Sequence, residues 1–342
     1  MTKKRLSPLW SKSLSKSLSR SFFGALTAIS RVQSNTVRQS AQAVRRATGS
    51  PSRAARPARG KGEWSSGMAM GPAGVRRYQL LKPPGMLPGE RLPLLVMLHG
   101  CGQDAQSFAL STRMNRLAVG ARFLVLYPEQ DRRANLQGCW NWYDTDSRNA
   151  YREAATLAAA IDQVCLLYPV DVTRIGVAGL SAGASMAALL ASRYPTRFRA
   201  VVMHSGIPPG TAHSASSAMR AMLGRAATAA PGALAHWPPL LVIHGSADSV
   251  VAPSNGEAAA QLWADAAGAR RLPSRPVQRG QRRLMTLTDF KHQRRLVATL
   301  CTVEGLGHAW SGGAAGQPYS DATGPDASRM VWSFIARQFG AP

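Results

Sequence analysis

Residues 179 to 183 read Gly179-Leu180-Ser181-Ala182-Gly183, a G-x-S-x-G pentapeptide. It follows the apolar run Arg174-Ile175-Gly176-Val177-Ala178 and precedes Ala184 to Tyr194, a segment rich in Ala, Leu and Met. A serine set between a buried strand and a helix sits on a sharp turn with its hydroxyl raised as a nucleophile. The flanking glycines fit, because the turn is tight and a Cβ at either place would clash. A helix starting at the serine points its free N–H groups and positive dipole end at the reacting atoms. The chemistry is acyl transfer, which also needs a base, a group to orient that base, and donors for an oxyanion.

The remaining parts are sought after Ser181, in the chain order Ser, acid, His. The apolar run Leu240-Leu241-Val242-Ile243 leads into His244-Gly245-Ser246-Ala247-Asp248. An acid just past a strand end is where an orienting carboxylate is needed, so Asp248 is the candidate acid. Gly305-Leu306-Gly307-His308-Ala309-Trp310 puts His308 in a glycine-rich loop as candidate base. His99, His204 and His244 each end an apolar run and read as structural; Asp104 and Asp321 fall outside the required order. One oxyanion donor is the N–H of Ala182. The other is expected from His99-Gly100-Cys101-Gly102-Gln103, with the Cys101 N–H favoured. Trp140, Trp142, Tyr143 and Trp310 are candidates for an apolar subsite, Trp310 above all because it lies two residues from His308. Gln103 is counted with them as a substrate-binding candidate. Nothing in the pattern calls for a metal or an organic cofactor.

These side chains need a scaffold of strands. Leu92 to Leu98 and Phe123 to Tyr127 are continuous apolar runs, as in parallel strands buried on both faces. Val75 to Leu81 predicts an edge strand, and Tyr151 to Tyr168 a helix stopped by Pro169. Strand 174–178, helix 184–194, strands 199–203 and 239–243, a helix near 255–267, strand 296–303 and a helix from 327 to 339, capped by Asp326 or Ser328, complete the series. The alternation predicts an α/β fold with a mostly parallel sheet and helices on both faces. Residues 207–237, rich in Ala, Ser, Gly and Pro, read as an insertion that could cap the site. Residues 268–295, with nine Lys or Arg and the single acid Asp289, read as a solvated loop.

The 342 residues carry 42 Lys or Arg against 17 Asp or Glu, a net charge of +25. Residues 1–62 hold 14 of the basic residues and no acid. Within them, Trp10, Leu14, Leu18, Phe22, Leu26 and Ile29 recur at helical spacing opposite Lys12, Lys16 and Arg20, the pattern of a basic amphipathic helix at a granule or membrane surface. Residues 33–62 read as a linker. Two parts are therefore expected: leader and linker over 1–62, catalytic domain over 63–342. No stretch is apolar for long enough to span a membrane, and the broken run near Phe22 makes a poor signal peptide. The four cysteines show no metal-binding spacing; Cys101 and Cys139 flank the site and are the pair to test for a bridge, while Cys165 reads as core.

The set Leu98-His99-Gly100-Cys101-Gly102-Gln103, Cys139-Trp140-Asn141-Trp142, Gly179-Leu180-Ser181-Ala182-Gly183, Gly245-Ser246-Ala247-Asp248 and Gly307-His308-Ala309-Trp310 resembles the polyhydroxybutyrate depolymerase and feruloyl-esterase-like family of α/β-hydrolases, over roughly residues 75–340. The resemblance implies the α/β-hydrolase fold, the triad Ser181, Asp248 and His308, and Cys101 and Ala182 as oxyanion donors. It implies hydrolysis of poly(3-hydroxybutyrate) or its oligomers, or of feruloyl or acetyl esters of plant polysaccharide. It also implies an extracellular location; the absence of a clear signal peptide points instead to the cytoplasm, at a storage-granule surface. The expected partner is a polyester or ester substrate, with residues 1–32 touching a granule or membrane and no specific nucleic acid; the oligomeric state is not given. A rival of another class is a non-catalytic protein that holds an anionic surface or nucleic acid through the basic leader, though no nucleic-acid-binding motif is present. A peptidase on the same triad differs only in leaving group.

Overall fold

A computed structural model describes residues 62–226 and 236–340. The amphipathic leader and linker expected over 1–62 lie outside the described residues, save Gly62, as do residues 227–235 of the expected cap.

Eleven strands form one sheet: β1 (Glu63–Gly71), β2 (Gly74–Lys82), β3 (Leu92–Leu98), β4 (Leu124–Pro128), β5 (Val170–Leu180), β6 (Ala200–His204), β7 (Leu240–Gly245), β8 (Arg270–Arg271), β9 (Arg275–Val277), β10 (Met285–His292) and β11 (Arg295–Val303). Their order is β1-β2-β4-β3-β5-β6-β7-β11-β10-β8, with β9 also on β10. The stretch from β4 through β3, β5, β6 and β7 to β11 is parallel; both margins are antiparallel.

The helices are α1 (Ala105–Thr112), α2 (Met114–Ala121), α3 (Asn149–Leu167), α4 (Ala182–Arg193), α5 (Ala215–Met222), α6 (Ser254–Ala266) and α7 (Ala327–Gln338). Successive side chains of a strand point to opposite faces. Accordingly Leu94, Val96 and Leu98 join the core beneath α3, α4 and α6, whereas Leu95 and Met97 join a second core with α1, α2 and α7. All seven residues of β3 are buried, which explains its unbroken apolar run. Asp326 caps α7, accepting from Arg329 N–H at 3.0 Å.

Three stretches differ from expectation. β1 was not anticipated: its outward Met68 and Met70 are exposed, and Gly and Ser fill alternate places. α1 and α2 occupy the stretch after the Gly100–Gln103 loop; Asp104 starts α1 through a capping box with Ser107, accepting its N–H at 2.7 Å. Residues 268–295 are not a loop but β8, β9 and β10, with Met285, Thr288 and Phe290 buried. Their arginines are partly paired, Arg275 with Asp289 at 3.2 Å and Arg283 with Asp321 at 3.1 Å.

One buried polar network ties β2, α3 and the segment after β4. Glu153 of α3 accepts from Asn141 N at 2.9 Å, Asn141 Nδ2 at 2.7 Å and Gln130 Nε2 at 2.7 Å. Arg76 Nη2 stands 3.9 Å from Glu153 Oε1, and Arg76 Nη1 donates to Gln130 Oε1. Arg76 also faces the Trp140 ring at 5.6 Å, while its Nε and Nη2 lack hydrogen-bond partners among the described residues. Burial lowers the Arg76 pKa and raises that of Glu153. Removing one member of such a pair strands the other charge in the core. Glu153→Leu should therefore lower the unfolding free energy by about 3–5 kcal/mol in denaturant titration; wild-type stability in that variant would contradict this account of the network.

Candidate active site

Ser181 occupies the step from β5 to α4 with φ 56° and ψ −124°, a conformation rare for any residue with a side chain. Its N–H donates to His204 O at 2.8 Å. The neighbours come close enough to demand glycine: a Cβ on Gly179 would sit 2.3 Å from Gly183 C and O, and one on Gly183 would sit 2.2 Å from Leu98 O. The turn therefore lies wedged between β3 and β6, and the serine side chain points into a cavity of about 790 Å³ including its open mouth.

Asp248 follows β7 and is buried. Its Oδ1 accepts from Val250 N at 3.0 Å and Val251 N at 2.9 Å; its Oδ2 accepts from His308 Nδ1 at 2.8 Å. His244 Nε2 approaches the same Oδ2 at 3.5 Å while bonding Val251 O at 3.0 Å. Burial alone would raise the Asp248 pKa, but the donors from His244, His308 and Val251 outweigh it and hold the carboxyl well below its ordinary range. An ionised carboxylate only accepts, so His308 carries a hydrogen on Nδ1 and that bond leaves Nε2 unengaged. His308 lines the same cavity as Ser181, although no hydrogen bond joins the two side chains.

The other histidines have structural partners. His99 Nε2 accepts from Gln130 N at 3.1 Å, and His204 Nε2 accepts from Ser311 N at 3.1 Å. Burial pushes His99 down to about 4 and His204 down to about 3, so both stay neutral. Asp321 is bonded instead to Arg283, Thr323 and Gly324.

The loop after β3 is held from several sides. Trp140 Nε1 donates to His99 O at 3.0 Å, Gly100 N to Gln103 Oε1 at 3.0 Å, and Gly102 N to Gln137 O at 2.9 Å. A disulfide joins Cys101 to Cys139. The N–H groups of Cys101 and Ala182 donate to no acceptor among the described residues, which leaves both available to a bound oxyanion. Gln103 lines the cavity, but its amide is committed to Gly100 N and Ser111 Oγ, so it supports the loop.

Of the aromatics, Trp142 and Tyr143 line the cavity in an edge-to-face pair 5.6 Å apart. Trp140 lines it too, yet is fully buried with its indole N–H bonded. Trp310 departs from expectation. It is fully buried, stacks on His204 at 5.0 Å, donates to Ser328 Oγ at 3.1 Å, and forms no part of the cavity wall. Burying so large a ring outweighs its closeness in sequence to His308. The cavity is also lined by Ile207, Ala218, Met222, Val250 and Val251, apolar residues that no motif marked. Ile207, Ala218 and Met222 belong to the expected cap. Among the described residues no three His, Cys, Asp or Glu converge to hold a metal ion.

Comparison with known proteins is consistent with this architecture. The family described as "Esterase PHB depolymerase" matches residues 76–275, more than half of the chain. The chain is 29% identical over 271 residues to poly(3-hydroxyalkanoate) depolymerase C of Paucimonas lemoignei, covering 74% of the chain and 61% of that protein. It thus spans about three-fifths of that relative's length. It is 26% identical over 215 residues to feruloyl esterase B of Neurospora crassa, covering 58% of the chain and 72% of the relative. Among solved structures, an acetyl xylan esterase from Aspergillus awamori superposes with a TM-score of 0.60 at 19% identity, covering 71% of this chain and 94% of the other. The fold is the α/β-hydrolase fold.

The buried histidines set a pH dependence. Both have folded pKa values depressed below the unfolded value of about 6.5, so the unfolded chain binds more protons between about pH 6.5 and about pH 4. Their contribution is complete above that window and falls as pH drops through it. Asp248, also depressed, adds a loss below the ordinary carboxylate range; Glu153, raised by burial, acts in the opposite sense. Denaturant titrations near pH 7 and near pH 4.5 should show a less stable protein at the lower pH, with a smaller difference in His204→Gln. A difference of the same size in that variant would refute the assignment to His204.

Proposed function

The chain belongs to the esterase PHB depolymerase family, a family of carboxylic ester hydrolases, and from that premise we propose that it is a serine esterase that cleaves hydroxyalkanoate polyester or its oligomers through an acyl-enzyme. The observation that carries the reading is the hydrogen bond of His308 Nδ1 to Asp248, 2.8 Å, on the wall of the cavity that holds Ser181.

In this reading Ser181 Oγ attacks the ester carbonyl carbon and His308 Nε2 takes its proton. Asp248 holds the imidazole in the Nδ1–H tautomer and stabilises the imidazolium. The oxyanion is received by the N–H groups of Cys101 and Ala182, the latter backed by the dipole of α4. His308 then protonates the departing alcohol, and a water activated by the same imidazole releases the acid. The apolar wall of Ile207, Met222 and Val250 suits a short aliphatic chain. A second reading, a feruloyl or acetyl esterase, draws on the Trp142–Tyr143 pair, against which an aryl group could pack.

Residues 63–342 are the catalytic unit of this proposal, beginning where β1 begins, and residues 1–32 would dock it on a granule or membrane surface. Deleting residues 1–62 should leave turnover of a soluble ester unchanged and weaken sedimentation with native granules or anionic liposomes; equal binding would remove the docking role. For the chemistry, Ser181→Ala should reduce hydrolysis of p-nitrophenyl butyrate by about 10³-fold or more with an unaltered circular dichroism spectrum. Substantial turnover by that variant would falsify the nucleophile assignment. Rates on hydroxybutyrate oligomers, methyl ferulate and acetylated xylan decide between the two substrate classes.

A further inference from the structure

Tyr319 has no role in the steps above, yet it faces the reacting groups. It lines the cavity with Ser181 and His308. Its backbone is left-handed at φ 54°, a conformation that a bulky side chain adopts only when its surroundings enforce it. The enforcement is visible. Trp310 N donates to Tyr319 O at 2.7 Å, and the next residues form β13 (Ser320–Asp321), paired in parallel with β12 (Trp310–Ser311). Because Trp310 lies two residues past His308 and is locked in the core, the phenol is held in register with the imidazole loop.

The hydroxyl is also placed against the loop that carries Cys101. A Cβ built on Gly102 would stand 3.7 Å from Tyr319 Oη, and one built on Gly100 would stand 3.6 Å from Ser181 Cβ. Two residues of chain span at most about 7 Å, so nucleophile and phenol flank the same short segment. Gln103 and Ser185, which also line the cavity, commit their polar atoms to the fold, Ser185 Oγ accepting from Ile207 N at 2.8 Å. Tyr319 Oη has no hydrogen-bond partner among the described residues. It is a pre-positioned donor that the fold does not use.

We propose that Tyr319 is a specificity-determining residue for oligoesters, its hydroxyl donating to an ester carbonyl one repeat away from the bond being cleaved. This rests on Ser181 being the nucleophile. A repeating hydroxyacyl chain presents a second carbonyl at short, regular spacing; a simple monoester presents none. A single well-placed hydrogen bond to a neutral acceptor discriminates by about tenfold.

The test compares the methyl ester of the 3-hydroxybutyrate trimer with isopropyl butyrate, both esters of secondary alcohols, for wild type, Tyr319→Phe and Tyr319→Ala. The measured quantity is the ratio of kcat/KM for the trimer to that for the monoester. Tyr319→Phe, which keeps the ring, should lower this ratio about tenfold, and Tyr319→Ala should lower it at least as far. If Tyr319→Phe keeps the wild-type ratio, whether both rates fall together or neither falls, the hydroxyl does not select the substrate and the proposal is wrong. If Tyr319→Ala alone lowers the ratio, the ring acts by packing and the proposal is equally overturned. A wild-type protein inactive on both substrates would instead break the esterase reading beneath it.

Discussion

The backbone at Ser181 is the constraint on which the other features depend. An L-residue with φ 56° and ψ −124° persists only when its surroundings leave no alternative. Here the surroundings are the sheet itself: the carbonyl of His204 at the end of β6 receives the serine N–H, and the carbonyls of Leu98 and His99 at the end of β3 crowd Gly183. Three adjacent parallel strands thus set the posture of one hydroxyl. The apolar residues of β3, β5 and β6 are for that reason part of the site's mechanics as well as its core. α4, buried almost all round, cannot drift away from the turn that starts it.

Charge inside the site contrasts with charge on the whole chain. The protein carries a net +25, yet its interior holds the neutral imidazoles of His99 and His204 and the ionised carboxylate of Asp248. Two imidazoles approach Asp248 from different elements, His308 from the loop after β11 and His244 from the end of β7. His244 is buried with Nδ1 lacking a partner among the described residues, so its hydrogen belongs on Nε2, where Val251 O and Asp248 both accept. A carboxylate held by four N–H groups has little freedom to turn. An imidazole hydrogen-bonded to it inherits that orientation, and this limits the motion left to the Nε2 that faces the cavity.

The central strands were legible in the sequence because burial on both faces removes polar residues from them, as in Leu92 to Leu98 and Leu240 to Ile243. Ser181, Asp248 and His308 could be picked out as candidates because each stands next to a strand end with glycines beside it. β10 was hidden because its buried Met285, Thr288 and Phe290 follow no period-two pattern and lie in an arginine-rich stretch. β1 was hidden because one of its faces meets solvent through methionines. Trp310 was misplaced because distance along the chain from His308 says nothing about which side of the sheet a ring enters. Tyr319 carried no signal at all: its position depends on the pairing of two-residue strands ten positions apart, and on a left-handed backbone that composition does not reveal.

The loop bearing Cys101 and the wall bearing Trp142 and Tyr143 behave as one unit, because two ties join them and a third fastens the wall to α3. The disulfide links Cys101 to Cys139, the indole of Trp140 holds His99 O, and Glu153 fastens Asn141 from beneath. Each tie is of a different physical kind: covalent, a neutral hydrogen bond, and a buried ionic network. Any displacement of the aromatic wall must then move the Cys101 N–H relative to Ala182, whose own position is set by Ser181 and α4. The group that shapes the cavity and the Cys101 N–H are therefore mechanically coupled. Reshaping this wall would disturb the spacing of the Cys101 and Ala182 N–H groups, whereas Ile207, Met222 and Val250 carry neither of them. The cavity is accordingly easier to reshape at those apolar residues than on the disulfide-bonded side.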